Sequence, residues 1–266
     1  MSKTLTVAIS TVVNDFNKFI NEFDFIHLVE ADEIVVIVQG DRAISLPKDF
    51  DNRYKIIQDK FYGISRSRNC AINHSTSDYI WFLDDDITLN EKSISIIKDF
   101  LHEKSYEAFS LRMYSGPNLD PYKKYPKEGI VSKIKLISIS SVEIIVSRKF
   151  VLNYNIFFNI NLGLGTDYPS CEENVFLLDL YNCGGSLYHF PIFTHRHPEV
   201  ERVLDFTKPG ILFAKGVFCS KFGGFLGFVL LLFWFIKSFY YSKDIKVSRY
   251  LIDGYRKSKL TLNFYE

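Results

Sequence analysis

The chain has 266 residues, 47% of them hydrophobic and 24% charged, with a formal charge of +1. That length can bury a full core, and the composition is globular rather than disordered. The excess of basic over acidic residues falls outside the α/β part of the chain, which argues against a nucleic-acid binder. It collects at the end instead. From residue 206 onward ten Lys/Arg stand against three Asp/Glu, so the tail is about +7 and the remainder about −6.

The first ninety residues alternate strand and helix patterns. Residues 5–10 (LTVAIS) read as a buried strand, and residues 14–29 as a helix with Phe16, Phe19, Ile20 and Phe23 on one side. Residues 33–38 (EIVVIV) form a second apolar strand, stopped by Gln39-Gly40-Asp41, and residues 55–58 a weak third. A loop, GIS, leads into a helix over about 65–74 that carries Arg66, Arg68 and Asn69. The strand Tyr79-Ile80-Trp81-Phe82-Leu83 then delivers three consecutive aspartates, Asp84-Asp85-Asp86. Short apolar strands joined by helices imply a mostly parallel sheet covered on both faces, with ligands at the carboxyl ends of the strands.

Further on come a helix over 93–102, a strand over 108–113 and a long polar loop, SGPNLDPYKKYPKEG. Loops of that length in a compact domain are usually functional. The run ISISSVEIIVS is expected to be a strand. A loop containing Gly163 and Gly165 leads to a helix that opens on Glu172-Glu173 and stops at Gly184-Gly185. A strand-like LYHFPIFTH carries His195 and His197.

The tail differs in kind. Residues 222–236 hold no charge, between Lys221 and Lys237. As a helix that run is roughly 22 Å long, short of a bilayer's hydrocarbon core. A monotopic or re-entrant insertion is the expectation, with a protein-buried helix or a full span as alternatives. Trp234, Phe239, Tyr240 and Tyr241 suit an interfacial belt over residues 215–245, and the basic tail suits an anionic membrane surface. Cys70, Cys171, Cys183 and Cys219 show no metal-type spacing, and the N-terminus runs straight into a strand pattern. Both features fit a reduced, cytoplasmic compartment and a peripheral or monotopic place on the inner membrane face.

Three adjacent carboxylates behind an apolar strand repel one another unless a cation collects there. A hard divalent ion holding a pyrophosphate fits, and a helix-capping acidic turn is the bland alternative. Glu172-Glu173 fits either a catalytic base or acids that complement a helix dipole. The order QGD, GISRSRN, DYIWFLDDD, GLGTDYPSCEENVFL, HRHP resembles family 2 of the nucleotide-sugar-dependent glycosyltransferases, which have the GT-A fold. The resemblance covers about residues 4–200, and the tail looks like the ends of bacterial capsule and O-antigen members.

The resemblance implies roles for these residues. Asp84 and Asp86 of a D-x-D motif would meet the donor's ribose or pyrophosphate and its Mn²⁺ or Mg²⁺, with Asp86 the direct ligand, Asp85 a supporting group and His197 a further metal ligand. Arg68-Asn69 matches the family's Arg-Asn near the diphosphate, and Arg66 is either a phosphate contact or a surface residue. Glu173, ahead of Asn174, Val175 and Phe176, takes the base position, with Glu172 open as the alternative. Many members have two aspartates after strand two, where this chain has Val38-Gln39. Gln39 is therefore the candidate base reader, with Ser10, Thr11 and Asp41 as neighbours. Ser138, Ser140, Ser141, Glu143, Gly163 and Gly165 are expected on the acceptor side.

The expectation is an α/β, GT-A enzyme with a donor half (1–90), an acceptor half (91–205) and a membrane-associating helical tail (206–266). It would be an inverting, metal-dependent transferase that moves a sugar from a nucleotide donor, UDP-linked by preference, onto a lipid-linked glycan. The competing readings are a membrane-docked sugar-nucleotide-binding protein without activity and a sugar-nucleotide pyrophosphorylase.

Overall fold

The β-branched and aliphatic runs at the N-terminus build the centre of one large sheet. In this computed structural model, residues 2–23, 25–45, 54–198 and 206–260 are described. In chain order they form β1 (Leu5–Val12), α1 (Phe16–Glu22), β2 (Glu33–Gln39), β3 (Tyr54–Asp59), α2 (Ile64–His74), β4 (Tyr79–Asp84), β5 (Thr88–Leu89) and α3 (Ser93–Glu103). There follow β6 (Ala108–Ser115), β7 (Asp120–Pro121), β8 (Gly129–Ile130), β9 (Ile144–Ser147), α4 (Arg148–Asn153), α5 (Glu172–Asn182) and β10 (Leu187–His197). Three helices close the chain: α6 (Pro209–Phe222), α7 (Gly224–Ser242) and α8 (Ile245–Leu260).

The main path of the sheet runs β3-β2-β1-β4-β9-β6-β10-β5. The first four strands are parallel, and β9 lies antiparallel between β4 and β6. The chain steps outward from β1 to β3 on one side, then returns to place β4 on the other side of β1. Such a reversal leaves a crevice at the carboxyl ends of β1 and β4. The sheet runs unbroken across the expected 90/91 boundary, because β9 pairs directly with β4.

Side-chain alternation splits the strands between two cores. Ala8, Val35, Ile37, Ile80 and Phe82 pack with α2, α5 and α6, whereas Val7, Ile9, Val36, Trp81 and Leu83 pack with α1 and α3. The same parity carries into the polar strand ends. It turns Ser10, Gln39 and Asp84 toward α2.

Two local expectations change. The helix over 14–29 is only α1 followed by a 3-10 turn, Phe25–Leu28. The run ISISSVEIIVS is a strand only over β9. Its first part folds as 3-10 turns, because Ser140 and Glu143 form a capping box whose side chains bond each other's backbone N–H groups.

α6 and α8 cross at near backbone contact. A Cβ on Gly216 would stand 2.0 Å from the Leu251 carbonyl oxygen, and one on Gly254 would stand 2.0 Å from that of Phe213. α7 spans nineteen residues, about 28 Å, with Lys237 its one charge, and is long and apolar enough to cross a membrane by length and composition. Only 22% of it is buried, so it is not a core helix. Phe225, Leu226, Phe228, Phe233 and Ile236 are all exposed, Phe225 by 79%. Replacing Gly216 by Ala is expected to force α6 and α8 apart and lower unfolding stability by about 1–3 kcal/mol. Chemical denaturation measures this, and an unchanged midpoint would refute the tight crossing.

Candidate active site

The cleft opens where the topology leaves its crevice. It has a volume of about 540 Å³ and is lined by Ser10, Thr11 and Val12 of β1, Gln39 of β2, Asp84–Asp86 after β4, and His197 at the end of β10. Asp15, Tyr62, Gly63, Ile64, Tyr122, Leu164 and Gly165 complete the wall. Tyr122 comes from the long polar loop and Leu164 from the glycine loop. Nothing in a single sequence marks their apolar or phenolic side chains as cleft residues; only the length of the loops was a signal.

Arg68 ties the cleft to α5. Its side chain is buried, with the residue 2% exposed, and one terminal nitrogen donates to Asp84 Oδ1 at 3.2 Å and to Ser141 Oγ at 2.8 Å. The other donates to Glu172 Oε1 at 3.1 Å. The guanidinium also stands 5.6 Å from the Phe158 ring centroid, a cation–π distance. Gly163 makes this possible. It has φ +97°, and a Cβ there would stand 2.6 Å from Ile64 and 3.1 Å from the Glu172 carboxyl carbon.

The acids divide. Glu172 is neutralised by Arg68, whereas Glu173, half-buried beside it, has no ion-pair partner among the described residues. Burial, and after it the charge of Glu172, hold the Glu173 carboxyl well above the usual carboxylate range. Both start α5, entered through Cys171 at φ +64°. In the cluster after β4, Asp85 accepts a hydrogen bond from Thr11. Burial and the neighbouring Asp86, Asp84 and Asp15 charges push its pKa up despite that bond. Asp86 is pushed up mainly by burial, against the His197 ring, whose Nε2 lies 4.0 Å from its Oδ1. Among the described residues no three His, Cys, Asp or Glu are placed to hold a metal ion by themselves.

Comparison with known proteins now bears on this site. A family model described as glycosyl transferase family 2 matches residues 26–166, just over half the chain. The chain belongs to that family. No curated protein matches it in a search by sequence. Among solved structures, S. aureus TarS residues 1–349 in complex with UDP-GlcNAc superposes with a TM-score of 0.62 at 14% identity, covering 96% of this chain and 92% of that one. The same fragment in complex with UDP has a TM-score of 0.62 at 14% identity, covering 96% and 91%. A longer TarS structure has a TM-score of 0.63 at 15% identity, covering 95% of this chain and 55% of that one. At such identity the likeness speaks for the fold, which is the expected GT-A-like α/β arrangement.

In this glycosyltransferase the other sequence candidates are dispersed. Asn69 clamps the chain at Phe158, its amide giving to the carbonyl and taking from the N–H, both at 2.8 Å. Arg66 lies over the exposed Phe61 ring at 4.8 Å, and both Arg66 and Asn69 line a separate cavity on the outer side of α2. Neither faces the cleft, because residues 66, 69 and 73 share one helical stripe and Arg68 points the other way. Asp41 is exposed beyond β2 and does not line the cleft.

His195 is a core residue. It is fully buried, edge-on to Trp81 at 5.6 Å, and its pKa is lowered to about 3, chiefly by burial. Glu143, also fully buried, receives hydrogen bonds from Lys123 at 2.6 Å and Tyr125 at 2.7 Å, which pins the long polar loop. Ser138 and Ser140 belong to that same support, and only Ser141 reaches the site, through Arg68.

Arg68→Met would strand Asp84 and Glu172 without their cation. The expected loss is about 3–5 kcal/mol of stability, the usual result of removing one member of a buried pair. Thermal and urea unfolding both read it, and a change below about 1 kcal/mol would show the bridge to be dispensable.

Proposed function

We propose that the protein is an inverting glycosyltransferase that moves one sugar from a UDP-linked donor onto a lipid-carried glycan at a membrane surface, in the synthesis of a bacterial surface polysaccharide such as a capsule or O-antigen. The observation that carries the reading is the Arg68 bridge, which ties Asp84, on the cleft at the topological switch point, to Glu172 of the Glu172-Glu173 pair that opens α5. TarS, of the same fold, is solved in complex with UDP-GlcNAc and with UDP, which supports a uridine donor here.

The donor's diphosphate belongs beside Asp84–Asp86. Four carboxylates (Asp15 and the three after β4) line that end of the cleft, so a dianionic leaving group needs a cation there. Asp86 and His197 present an oxygen and a nitrogen 4.0 Å apart, a pair that suits Mn²⁺ or Mg²⁺ once phosphate oxygens complete the shell. Such an ion would supply Lewis-acid stabilisation of the departing diphosphate. Asp84 stays turned to Arg68 and positions the turn. Thr11 fixes Asp85 in the same way.

Gln39 reads the base. Its Oε1 accepts from Gly63 N–H at 2.7 Å, which sets the amide orientation and leaves Nε2 as a donor on the cleft wall. A donor there meets a carbonyl oxygen of uracil and opposes the amino group of cytosine. With purified protein and Mn²⁺, UDP-sugars are expected to show saturation-transfer signals and slow hydrolysis, with CDP-sugars at least about tenfold weaker. Gln39→Leu should narrow that gap. No signal from any nucleotide sugar, with or without Mn²⁺, sinks the reading.

Glu173 is the base. It removes the proton of the acceptor hydroxyl as that oxygen bonds to the anomeric carbon, and the bond to the diphosphate oxygen breaks on the opposite face. Its raised pKa suits the task, since a stronger base takes the proton more readily. Glu173→Gln is expected to cut the transfer rate by about 10²–10⁴-fold. The ascending limb of the wild-type pH–rate profile should lie above the ordinary carboxylate range.

Stability carries the same sign. The native state holds the Glu173 proton more tightly than the unfolded chain, so stability falls as pH rises from the unfolded value through the folded one. Glu173→Gln should flatten that fall. A variant that keeps the wild-type rate assigns the base elsewhere.

α7 would lie against the bilayer with its exposed apolar side, and the basic residues of the tail would face anionic headgroups. Cytoplasmic, inner-face placement follows if the donor is drawn from the cytosol.

A further inference from the structure

Two lysines where α7 packs on α6 have no counter-charge among the described residues. Lys215, on α6, is 7% exposed, and its ammonium stands 4.5 Å from the Trp234 ring centroid and 5.6 Å from that of Phe206. Lys237, on α7, approaches the same Phe206 ring at 4.3 Å. Neither makes a hydrogen bond or a salt bridge within the described structure. A desolvated ammonium is costly without an anion, and aromatic faces replace only part of its hydration.

The site is not sealed. The fully buried polar atoms left without a partner are Arg68 Nε and His195 Nε2 among the described residues, so the Lys215 ammonium keeps a path to the surface. Lys237 is half-buried beside it.

The pair sits between the active site and the exposed apolar helix. α6 backs the loop that lines the cleft: Tyr168 stacks on Phe213 at 3.8 Å, and Gly210 abuts the Asp167 carbonyl. The Lys215 charge acts on the Cys171 thiol, the residue that opens α5 ahead of Glu172 and Glu173. On the far side, α7 turns Leu232, Phe233 and Ile236 outward.

We propose that Lys215 and Lys237 bind the phosphate that joins a membrane-anchored acceptor to its lipid. This rests on the reading of the cleft as a transferase site with a lipid-carried acceptor. Two ammonium groups set against one aromatic ring suit a phosphate or diphosphate, whose charge exceeds that of a single carboxylate. A recessed pair selects a ligand that threads inward toward α5. Bulk headgroups are served instead by the exposed Lys243 and Lys246 and by Arg249 near the end of the tail. The lipid would run along α7 and the glycan toward Glu173.

The test uses the full chain without nucleotide, on nanodiscs of phosphatidylcholine carrying either a polyprenyl diphosphate or phosphatidylglycerol matched for charge. Wild type is expected to be retained about tenfold more tightly on the diphosphate discs. Lys215→Met with Lys237→Met should erase that preference, and Lys215→Arg with Lys237→Arg should keep it. Lys237→Met alone, at a half-exposed position, guards against a folding defect and should weaken the preference in part.

Equal retention of wild type on both discs overturns the proposal in favour of plain surface attraction. Methionine variants that keep the preference, or that change only the melting temperature, overturn it in favour of a structural cation–π contact. The absence of donor separates this outcome from the transferase reading, which stands or falls on nucleotide-sugar binding.

Discussion

A single guanidinium organises the functional half of this protein. Arg68 is almost wholly removed from water and holds carboxylates 104 residues apart from its own position and 16 residues away, on α5 and β4 respectively. A charge so placed is tolerable only with acceptors on each side. The planar fork of arginine meets that need where a lysine's point charge would not. Sheet parity makes it reachable: Asp84 leaves β4 on the side of Ile80 and Phe82, the side on which α2 and α5 pack. The bridge is incomplete, since Nε lacks a hydrogen-bond partner. An arrangement tuned for stability alone would use apolar residues there.

That geometry separates five neighbouring acids into different chemical states. Asp84 and Glu172 share one cation, so their charge is spoken for. Asp86 faces His197, and Asp85 has a hydroxyl. Among the described residues, Glu173 alone is left half-buried with a like charge beside it and no cation in contact, and its proton affinity rises accordingly. Two adjacent glutamates in sequence thus acquire opposite characters through one contact.

The strand-forming runs were legible because β-branched and aliphatic residues in short blocks bounded by Gly, Asp and polar turns have few other ways to fold. The Asp cluster was legible for the opposite reason, as charge where a strand should have ended quietly. Roles were harder. Arg66, Arg68 and Asn69 are close in sequence, yet only Arg68 reaches Asp84 on the cleft, because successive helical residues point about 100° apart and the phase of α2 is set by packing. His195 and His197 read alike on a strand, but one is sealed against Trp81 while the other reaches Asp86. Ser140 and Glu143 looked like part of a strand. Their reciprocal bonds to backbone N–H groups outcompeted the ladder.

The tail poses a different physical question, namely why an apolar helix of nineteen residues stays largely uncovered. Gly216 and Gly254 allow α6 and α8 to close on each other, and Gly227 lets α7 approach the Cys219 carbonyl closely at one point. The backbone contacts thus fix α7 as a blade along α6 rather than folding it into the core. α6 is fastened in turn to α5 through the Lys221–Asp179 ion pair and to the cleft loop through Tyr168 and Phe213. A chain of contacts therefore runs from α7 through α6 to Asp179 of α5 and to the cleft loop. The position of α7 is thereby fixed relative to α5 and the cleft loop.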